Sequence, residues 1–285
     1  MKKIGITTDC VCDLPEEYLK ENCIDVIYFY ITTATGMFKD GHEITSGNVL
    51  EYLENGGLKA ETNAPAFKEY KEFFEKALKQ YDELVHITIS SRTSHACQNA
   101  MAALELMGEN RKRVTIVDSS HLSTGMGHMV MKAVELRDSG KSAAAIAEAV
   151  EGMKRKISTT FIAQNADYLY RNGRASKNLK KMSALLRLHP VLTLKNGRIT
   201  LKKFKIGNYE RSVMRYIRGE LKHSRRIDKR RLFITHVGCT VKTISQIKAE
   251  TEKLCRFDEV TVTKASATVS SNCGPETVGV MFVYK

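Results

Sequence analysis

Hydrophobic and polar residues alternate along the first half of the chain in a pattern that predicts strands followed by helices. Residues 3–8, 83–89 and 114–118 are short apolar runs rich in β-branched residues, and each leads into polar residues and then into helix formers. A further apolar strand is predicted over residues 25–34, and Glu61-Thr62-Asn63-Ala64-Pro65 is predicted to be a break before a helix. Strand and helix alternation of this kind is typical of a largely parallel sheet with helices on both faces.

The pattern changes in the second half of the chain. A basic amphipathic helix is predicted over residues 177–188, and a β-hairpin is predicted around Asn196-Gly197, because these residues tolerate the positive φ of a tight turn. Residues 278–284 predict a closing strand. We therefore predict an α/β fold of two domains, residues 1–158 and 159–285, with antiparallel strands in the second. The closing strand fits the second domain or a return to the first.

A cluster of hydroxylated residues follows one of the predicted strands. Ile89-Ser90-Ser91-Arg92-Thr93-Ser94-His95 leads directly into a run of good helix formers. Ligands of open α/β sheets gather beyond the carboxyl ends of strands, where helix N–H groups favour an anion. Ser90, Ser91, Thr93 and Ser94 are therefore candidates for a carboxylate or phosphate site. The plain alternative is that Ser94 only caps the helix.

Composition places the chain among globular proteins. Of its 285 residues, 42% are hydrophobic and 27% are charged, which is sufficient for a substantial core. No apolar run approaches the roughly 20 residues that span a bilayer. Lys2 and Lys3 lead into a predicted strand rather than into a secretory signal. We therefore expect a cytoplasmic protein.

The net charge of +13 is concentrated in one part of the chain. Residues 151–231 contain 23 basic and 5 acidic residues, a balance of +18, whereas the rest of the chain has 22 and 27, a balance of −5. Such a surplus suits an acidic protein, an anionic membrane or a nucleic acid, and the plain alternative is a solvated surface. The few aromatic residues of this region form no nucleic-acid-binding motif. We therefore predict a docking face for one of the first two partners and no nucleic acid.

The sequence lacks the motifs of several enzyme classes. It has no Gly-x-Ser-x-Gly elbow, no Walker loop, no Gly-x-Gly-x-x-Gly after a strand and no His-Glu-x-x-His. Gly125-Met126-Gly127 lacks a third glycine and is a weak nucleotide-binding signal. The seven cysteines lack the spacing of a disulfide framework or zinc site, which predicts reduced thiols. Ser94 and His95 are adjacent at a helix start and seldom face each other. We predict no catalytic residue, metal or cofactor.

Six short segments, in this order along the chain, together resemble the DegV family, whose members bind fatty acids. The segments are Thr7-Thr8-Asp9-Cys10 with Asp13-Leu14-Pro15, Thr62-Asn63-Ala64-Pro65, Ile89-Ser90-Ser91-Arg92-Thr93-Ser94, Val117-Asp118-Ser119 with Ser123 and Gly127, Leu169-Tyr170-Arg171-Asn172-Gly173-Arg174, and Asn272-Cys273-Gly274-Pro275. The resemblance therefore extends from end to end.

The resemblance implies a two-domain protein that holds a long-chain fatty acid in an interior tunnel, with the carboxyl group near the interdomain cleft. Such proteins serve as the acyl-binding subunit of bacterial fatty acid kinase and present the carboxylate to a separate kinase subunit. Thr62 and Ser94 match the hydroxyls that hold the carboxyl group. Arg174 matches an arginine that suits the phosphoryl-transfer partner. The lipid-binding residues predicted in this way are Thr62, Ser94, His95, Asn272 and Gly274.

The chain departs from the family pattern in four segments. The family's Asp-Ser is Asp9-Cys10, its Thr-Ser-x-Pro is Thr62-Asn63-Ala64-Pro65, and its Ser-Gly-Thr is Ser94-His95-Ala96. The histidine of its His-x-Gly-Pro is Asn272. This change removes a cationic or donor group from beside the carboxylate, although an asparagine amide still donates two hydrogen bonds. The resemblance thus implies lipid binding more directly than the kinase step.

The sequence as a whole predicts a lipid-binding protein, with two alternatives from other classes. One is an enzyme that acts on a small carboxylate or phosphate with the same hydroxyl cluster, and the other is a nucleic-acid-binding module that uses the basic region. An enzyme would bring a base close to Ser94, whereas a lipid carrier needs an apolar tunnel. Soft apolar residues that fit either a tunnel wall or an ordinary core are Met126, Met129, Met131, Met182, Leu185, Leu186 and Leu188.

Overall fold

A computed structural model describes residues 2–185 and 187–285. The strands in this part of the chain are β1 Ile4–Asp9, β2 Asp25–Ile27, β3 Tyr30–Thr33, β4 Gly36–Lys39, β5 Glu61–Asn63, β6 Glu83–Thr88, β7 Val114–Asp118, β8 Ile157–Ile162, β9 Leu188–Lys195, β10 Arg198–Ile206, β11 Ile227–His236, β12 Glu259–Lys264 and β13 Val278–Tyr284. The helices are α1 Glu16–Glu21, α2 Ser46–Glu54, α3 Phe67–Ala77, α4 Ala96–Glu105, α5 Ser123–Asp138, α6 Ala143–Met153, α7 Asp167–Arg171, α8 Lys177–Leu185, α9 Tyr209–Leu221, α10 Val241–Leu254 and α11 Ala267–Cys273.

The first sheet is parallel throughout and has the order β2-β1-β6-β7. Every residue of β1 is buried, as is typical of a central strand that is covered on both faces. Helix α3 packs against α4 and α5 packs against α6, and these helices contact the strands of the sheet. The predicted parallel sheet of the first half is thus confirmed.

The second sheet is mixed and mostly antiparallel, with the order β10-β9-β8-β13-β11-β12. Only the pair β11–β12 is parallel among its described strands. The predicted hairpin is confirmed: Asn196 and Gly197 connect β9 to β10 with φ values of 49° and 77°, which a two-residue turn of this type requires. The closing strand β13 lies between β8 and β11, inside this sheet rather than the first. The domain boundary at residues 158 and 159 stays a prediction.

A small third sheet, of order β4-β3-β5, corrects two sequence-based predictions. The single strand expected over residues 25–34 is divided between β2 in the first sheet and β3 in the third. The reason lies at Phe29, whose N–H donates to Cys10 Sγ and whose carbonyl accepts from the Asp40 N–H, so that its backbone joins neither ladder. Residues 61–63, expected to be a break, form the edge strand β5.

The structure shortens one predicted helix and adds two. Helix α8 ends at Leu185 and β9 begins at Leu188, so the helix expected over residues 177–188 is too long. Leu186 and the side chain of Leu185 lie outside what the structure describes. The short helices α7 and α11 were not predicted. In the described residues, no helix combines the length and apolar character needed to cross a membrane.

Candidate functional site

A cavity of about 320 Å³ lies where the loop after β6, strand β5 and helix α11 meet. Its volume is at the lower end of the roughly 300–1,000 Å³ of small-molecule sites. Its apolar lining consists of Phe29, Ala64, Ile89, Leu122, Ile199 and Val269. Its polar lining consists of Thr62, Asn63, Ser91, Arg92, Thr93, Ser94, His95, Arg174, Thr268, Asn272 and Cys273. No described acidic residue lines it, which makes the cavity suited to an anionic group.

The hydroxyls of the loop after β6 differ in what they bind. Ser90 donates to the Gly197 carbonyl at 2.8 Å, Thr93 donates to the Ser90 carbonyl at 2.9 Å, and Ser91 donates to the Asp118 carboxylate. The Ser94 Oγ instead accepts a hydrogen bond of 3.2 Å from the Ala96 N–H. Its own proton has no acceptor among the described residues. Ser94 is therefore the hydroxyl of this loop that can donate to a ligand in the cavity.

Ser94 also contacts the start of α4, as its alternative interpretation predicted. The helix begins at Ala96, and His95 is its N-cap residue without a side-chain cap bond. Ser94 satisfies the first helical N–H from one position further out. Capping and ligand contact therefore do not exclude each other, because one uses the acceptor and the other the donor of the same hydroxyl.

Thr62 and Asn272 form a second polar pair in the cavity wall. Thr62 lies on β5, and Asn272 lies in the last turn of α11, 210 residues later in the chain. The Asn272 amide donates to Thr62 Oγ1 at 3.4 Å and to the Thr268 carbonyl at 2.8 Å. The hydroxyl proton of Thr62 has no acceptor in the described part of the chain, so it is available to a ligand. Asn272 Oδ1 is buried there without a partner.

Three basic residues, Arg92, His95 and Arg174, lie around the same cavity. All three are exposed, and none forms a salt bridge within the described residues. Arg174 follows α7 in a turn that Gly173 makes possible with a φ of 69°. Its backbone N–H donates to the Leu169 carbonyl at 2.7 Å. A negative head group in the cavity would therefore meet hydroxyl donors inside and positive charge at the exposed side.

Two groups of predicted residues lie elsewhere. Gly274 is the C-cap of α11 with a φ of 82°, and a Cβ there would come within 2.5 Å of the Tyr168 ring. It packs against that ring and does not line the cavity. Of the tunnel candidates, Met126, Met129 and Met131 belong to the large core cluster, Leu188 is buried and Met182 is exposed. None of these five lines the cavity, so the ordinary-core interpretation fits the buried ones.

The described residues show no hydrogen bond between Ser94 and His95, and they contain no group of three histidine, cysteine or acidic residues that could hold a metal. Gly125 and Gly127 lie inside the buried helix α5, where a Cβ would meet Thr159 and Leu14. Close helix packing thus explains these glycines without a nucleotide.

Sequence reasoning missed the apolar part of the cavity and the carboxylate of Asp40. Phe29, Ile199 and Val269 come from three separate parts of the chain, and no local pattern indicates that they share a cavity. Asp40 is 1% exposed and accepts the N–H groups of Ala267 and Thr268 at 3.0 and 2.8 Å. A single acidic residue between polar neighbours gives no sequence signal for this role.

The fold and the cavity together define an α/β protein whose site combines an apolar wall with polar donors and has no acidic residue in its described lining, a class suited to binding amphiphilic anions. The chain belongs to the DegV family, whose description is that of uncharacterised proteins and whose family model matches residues 3–285. A DegV domain-containing protein of Caldanaerobacter subterraneus is 28% identical over 287 residues, which cover 100% of both chains.

Two solved structures show the same fold. A DegV family protein from Thermus thermophilus, described by its fatty acid binding, has a TM-score of 0.86 at 26% identity and covers 99% of this chain and 100% of its own. The fatty acid kinase B3 protein of Streptococcus pneumoniae, loaded with linoleic acid, has a TM-score of 0.84 at 17% identity, with coverages of 99% and 100%. The second likeness establishes the fold alone.

Proposed function

We propose that this protein binds one long-chain fatty acid, with the carboxylate in the cavity and the acyl chain toward the interior. The observation that carries the proposal is the pairing of an apolar cavity wall with the hydroxyls of Ser94 and Thr62, whose protons have no acceptor among the described residues, and with a described lining that contains no acidic residue. The fatty acid binding of the Thermus thermophilus relative supports it. The roles of Thr62, Ser94, His95, Asn272 and Gly274 in this site are part of the proposal.

Binding of this kind needs no catalytic residue. Burying an acyl chain of about 16 carbons at roughly 0.8 kcal/mol per methylene gives a gross gain of about 12 kcal/mol, from which ordering costs are subtracted. The tail therefore supplies most of the affinity. The hydroxyls of Ser94 and Thr62, together with the basic side chains around the cavity, orient the head group and select for its charge. We accordingly propose a binding protein rather than an enzyme.

The partner that we propose is a separate fatty acid kinase subunit, with an anionic membrane surface as the second docking surface. Arg174 is exposed at the cavity and is suited to contact that partner. It is continued by a surface that we call the basic face, which comprises the exposed Lys177, Lys181, Arg187, Lys195 and Arg198, none of which forms a salt bridge within the described residues. Helix α8 packs against β9, and β9 pairs with β10, so these residues lie on neighbouring elements. The cytoplasmic location predicted from the sequence agrees with such a role.

The test is the identity of the molecule that the purified protein retains. Solvent extraction of the recombinant protein, followed by mass spectrometry, is expected to yield long-chain fatty acids in near-stoichiometric amount. A parallel extraction of an unrelated protein purified from the same host controls for carry-over of membrane lipid. Repeated preparations that contain no lipid, or that contain a water-soluble metabolite instead, would contradict the proposal.

A further inference from the structure

The N-terminus of α11 is held by side chains from the far end of the chain. The Ser266 N–H donates to Asp13 Oδ1 at 2.9 Å, and the Ala267 and Thr268 N–H groups donate to Asp40 at 3.0 and 2.8 Å. The side chain of the N-cap residue Ser266 accepts only the next N–H, that of Val269, at 3.3 Å. The N–H groups that a helix start leaves unpaired are thus met mainly by two carboxylates that lie more than 220 residues earlier.

This helix supplies one wall of the cavity. Thr268, Val269, Asn272 and Cys273 line it, at a spacing that places them on one face of the helix. The position of the Asn272 amide relative to Thr62 is therefore set by how α11 is seated. Helix α11 is also held further along, where Ser270 Oγ lies 2.6 Å from Ser46 Oγ and the Ser271 carbonyl accepts from the Asn172 amide at 3.0 Å, so the two carboxylates fix its first turn in particular.

Asp40 belongs to the same small sheet that carries Thr62. It directly follows β4, and β4 and β5 both pair with β3, where Ile31 lies opposite Phe38 and Thr62. The Asp40 N–H also donates to the carbonyl of Phe29, another cavity residue, at 2.9 Å. The small sheet and the residue that follows β4 thus contact α11 twice, at its first turn through Asp40 and at its last turn through Thr62.

Burial makes this arrangement costly unless the carboxylates are well bound. Asp40 and Asp13 are 1% and 6% exposed, and burial raises the pKa of each carboxyl group. A buried carboxylate persists where hydrogen bonds replace water, and two backbone donors do so at Asp40. The N–H groups of Ala267 and Thr268 therefore hold the Asp40 side chain in place, and the Asp40 carboxylate holds the first turn of α11 in place.

We propose that Asp40, assisted by Asp13, is a positioning residue for the head-group site, which sets the spacing between Thr62 and Asn272 through the N-terminus of α11. This inference rests on the proposed fatty acid binding. Asp40 does not touch the ligand. It acts through α11, and its loss changes the selection of the head group more than the affinity for the tail.

The experiment compares binding of palmitic acid and of hexadecanol, which share a tail and differ in the head group. In Asp40→Asn an amide NH₂ replaces one carboxylate oxygen and faces an N–H donor, so the first turn of α11 must shift. The preference for the acid over the alcohol is expected to fall about tenfold, while hexadecanol affinity changes less than threefold. In a protein that already carries Asn272→Ala, Asp40→Asn is expected to reduce the preference for the acid little further. The reason is that both changes act on the pair of Thr62 and Asn272.

A matched control separates positioning from stability. Glu220 is another buried carboxylate and lies on α9. It accepts a hydrogen bond of 2.6 Å from the Lys202 ammonium group and does not line the cavity. Glu220→Gln is expected to lower thermal stability while leaving the acid preference intact.

Ala267→Pro removes the donor of the hydrogen bond between the Ala267 N–H and Asp40. Proline needs no N–H at the first helical position, and the extended Ser266 (φ −57°, ψ 163°) suits a residue before proline.

The outcomes distinguish the inference from the function on which it rests. Wild-type protein that binds neither palmitic acid nor hexadecanol would overturn the proposed function. Wild-type protein that prefers the acid, with Asp40→Asn and Ala267→Pro both keeping that preference, would overturn the positioning role alone. Equal losses of preference in Asp40→Asn and Glu220→Gln would also overturn it, because they would show a general effect of stability.

Discussion

At the scale of single residues, the cavity is distinguished by two hydroxyl protons that have no acceptor within the described part of the chain. Ser94 and Thr62 each accept one hydrogen bond from within the protein, from Ala96 and from Asn272, and this leaves their hydroxyl protons for a ligand. A carboxylate is a pure acceptor, so it matches two such donors. The same donors would leave an alcohol head group less strongly held, because hydrogen bonds to charged groups are about twice as strong as neutral ones.

Ser94→Ala is expected to weaken fatty acid binding more than fatty alcohol binding. A hydrogen bond to a charged group contributes about 1.5–3 kcal/mol and a neutral one about 0.5–1.5 kcal/mol, so the acid should lose roughly ten- to hundredfold and the alcohol tenfold or less. Titration calorimetry with both ligands measures the two losses. Ser142→Ala is the control, since Ser142 caps α6, does not line the cavity and accepts from the Ala145 N–H at 3.3 Å. Equal losses for acid and alcohol would remove Ser94 from the head-group site.

A second residue-scale prediction concerns the pH dependence of stability at Asp13. Burial raises the pKa of Asp13 to about 7, from 3.8 in an exposed chain, despite the hydrogen bonds from Ser123 and Ser266. Between these pH values the folded state binds more protons than the unfolded state. The free energy of unfolding should therefore fall as pH rises from about 4 to 7, by up to about 1.4 kcal/mol per unit.

Asp13→Asn tests this contribution directly. The amide oxygen can still accept from Ser266 and the amide nitrogen can donate to Ser123, so the variant resembles the protonated acid at every pH. Urea unfolding at pH 5 and pH 8 should show the variant gaining stability over the wild type at the higher pH. An unchanged difference between the two proteins at both pH values would show that Asp13 does not titrate in this range.

At the scale of elements, the cavity is closed by contacts between parts that are distant in sequence. The turn between β9 and β10 lies against the loop after β6, where the Gly197 carbonyl accepts from Ser90. A Cβ on Gly197 would come within 2.6 Å of Ser90 Oγ and 3.1 Å of Arg92 Cγ. Both neighbours belong to the loop that presents Ser94, so this glycine couples the hairpin to the site.

Gly197→Ala is accordingly expected to reduce both stability and fatty acid occupancy. Gly207, at the other end of β10, is the matched control, because its φ of 97° is also positive but no atom lies within 4 Å of a Cβ there. Each variant should lose about 1–3 kcal/mol from backbone strain, with the larger loss at Gly197. Only Gly197→Ala should lower the amount of lipid retained on purification. Equal lipid content in both variants would show that the contact does not affect the site.

The elements also show what sequence patterns could and could not predict. Both main sheets and the β9–β10 hairpin were predictable, because buried β-branched runs and Asn196-Gly197 are local signals. The division of residues 25–34 between two sheets was not, since the apolar pattern continues through Phe29 while its backbone bonds turn elsewhere. Helix α11 escaped prediction because it is short and most N–H groups at its start pair with the distant Asp13 and Asp40, whereas its own N-cap Ser266 accepts only one of them through its side chain.

For the site, the family motifs predicted more than the periodicity did. Thr62, Ser94, His95, Arg174 and Asn272 do lie around one cavity. The hydroxyl cluster alone would have favoured Ser90, Ser91 and Thr93 equally, and the structure shows that these donate to protein acceptors. Which hydroxyl keeps a free proton depends on tertiary contacts, such as that of Ser90 with the Gly197 carbonyl.

At the scale of the whole molecule, the excess positive charge is concentrated in residues 151–231. Within residues 151–231, Glu151, Asp167, Glu220 and Asp228 are all paired with basic neighbours. The acidic side chains of the region are thus largely neutralised, and the basic face keeps its charge. Exposed charges of this kind steer encounter and are screened beyond roughly 8 Å at physiological salt.

Docking through the basic face should therefore depend on salt, whereas lipid retention should not. Lys177→Glu combined with Lys181→Glu is expected to weaken binding to phosphatidylglycerol vesicles, because α8 would lose its positive charge, and Lys141→Glu, an exposed change outside the face, is expected to have little effect. Vesicle sedimentation at low and high salt measures the docking, and mass spectrometry measures the retained acid. Arg174→Ala should impair transfer to a kinase subunit without emptying the cavity. Salt-independent vesicle binding, or tighter salt-resistant binding to duplex DNA, would contradict this electrostatic account.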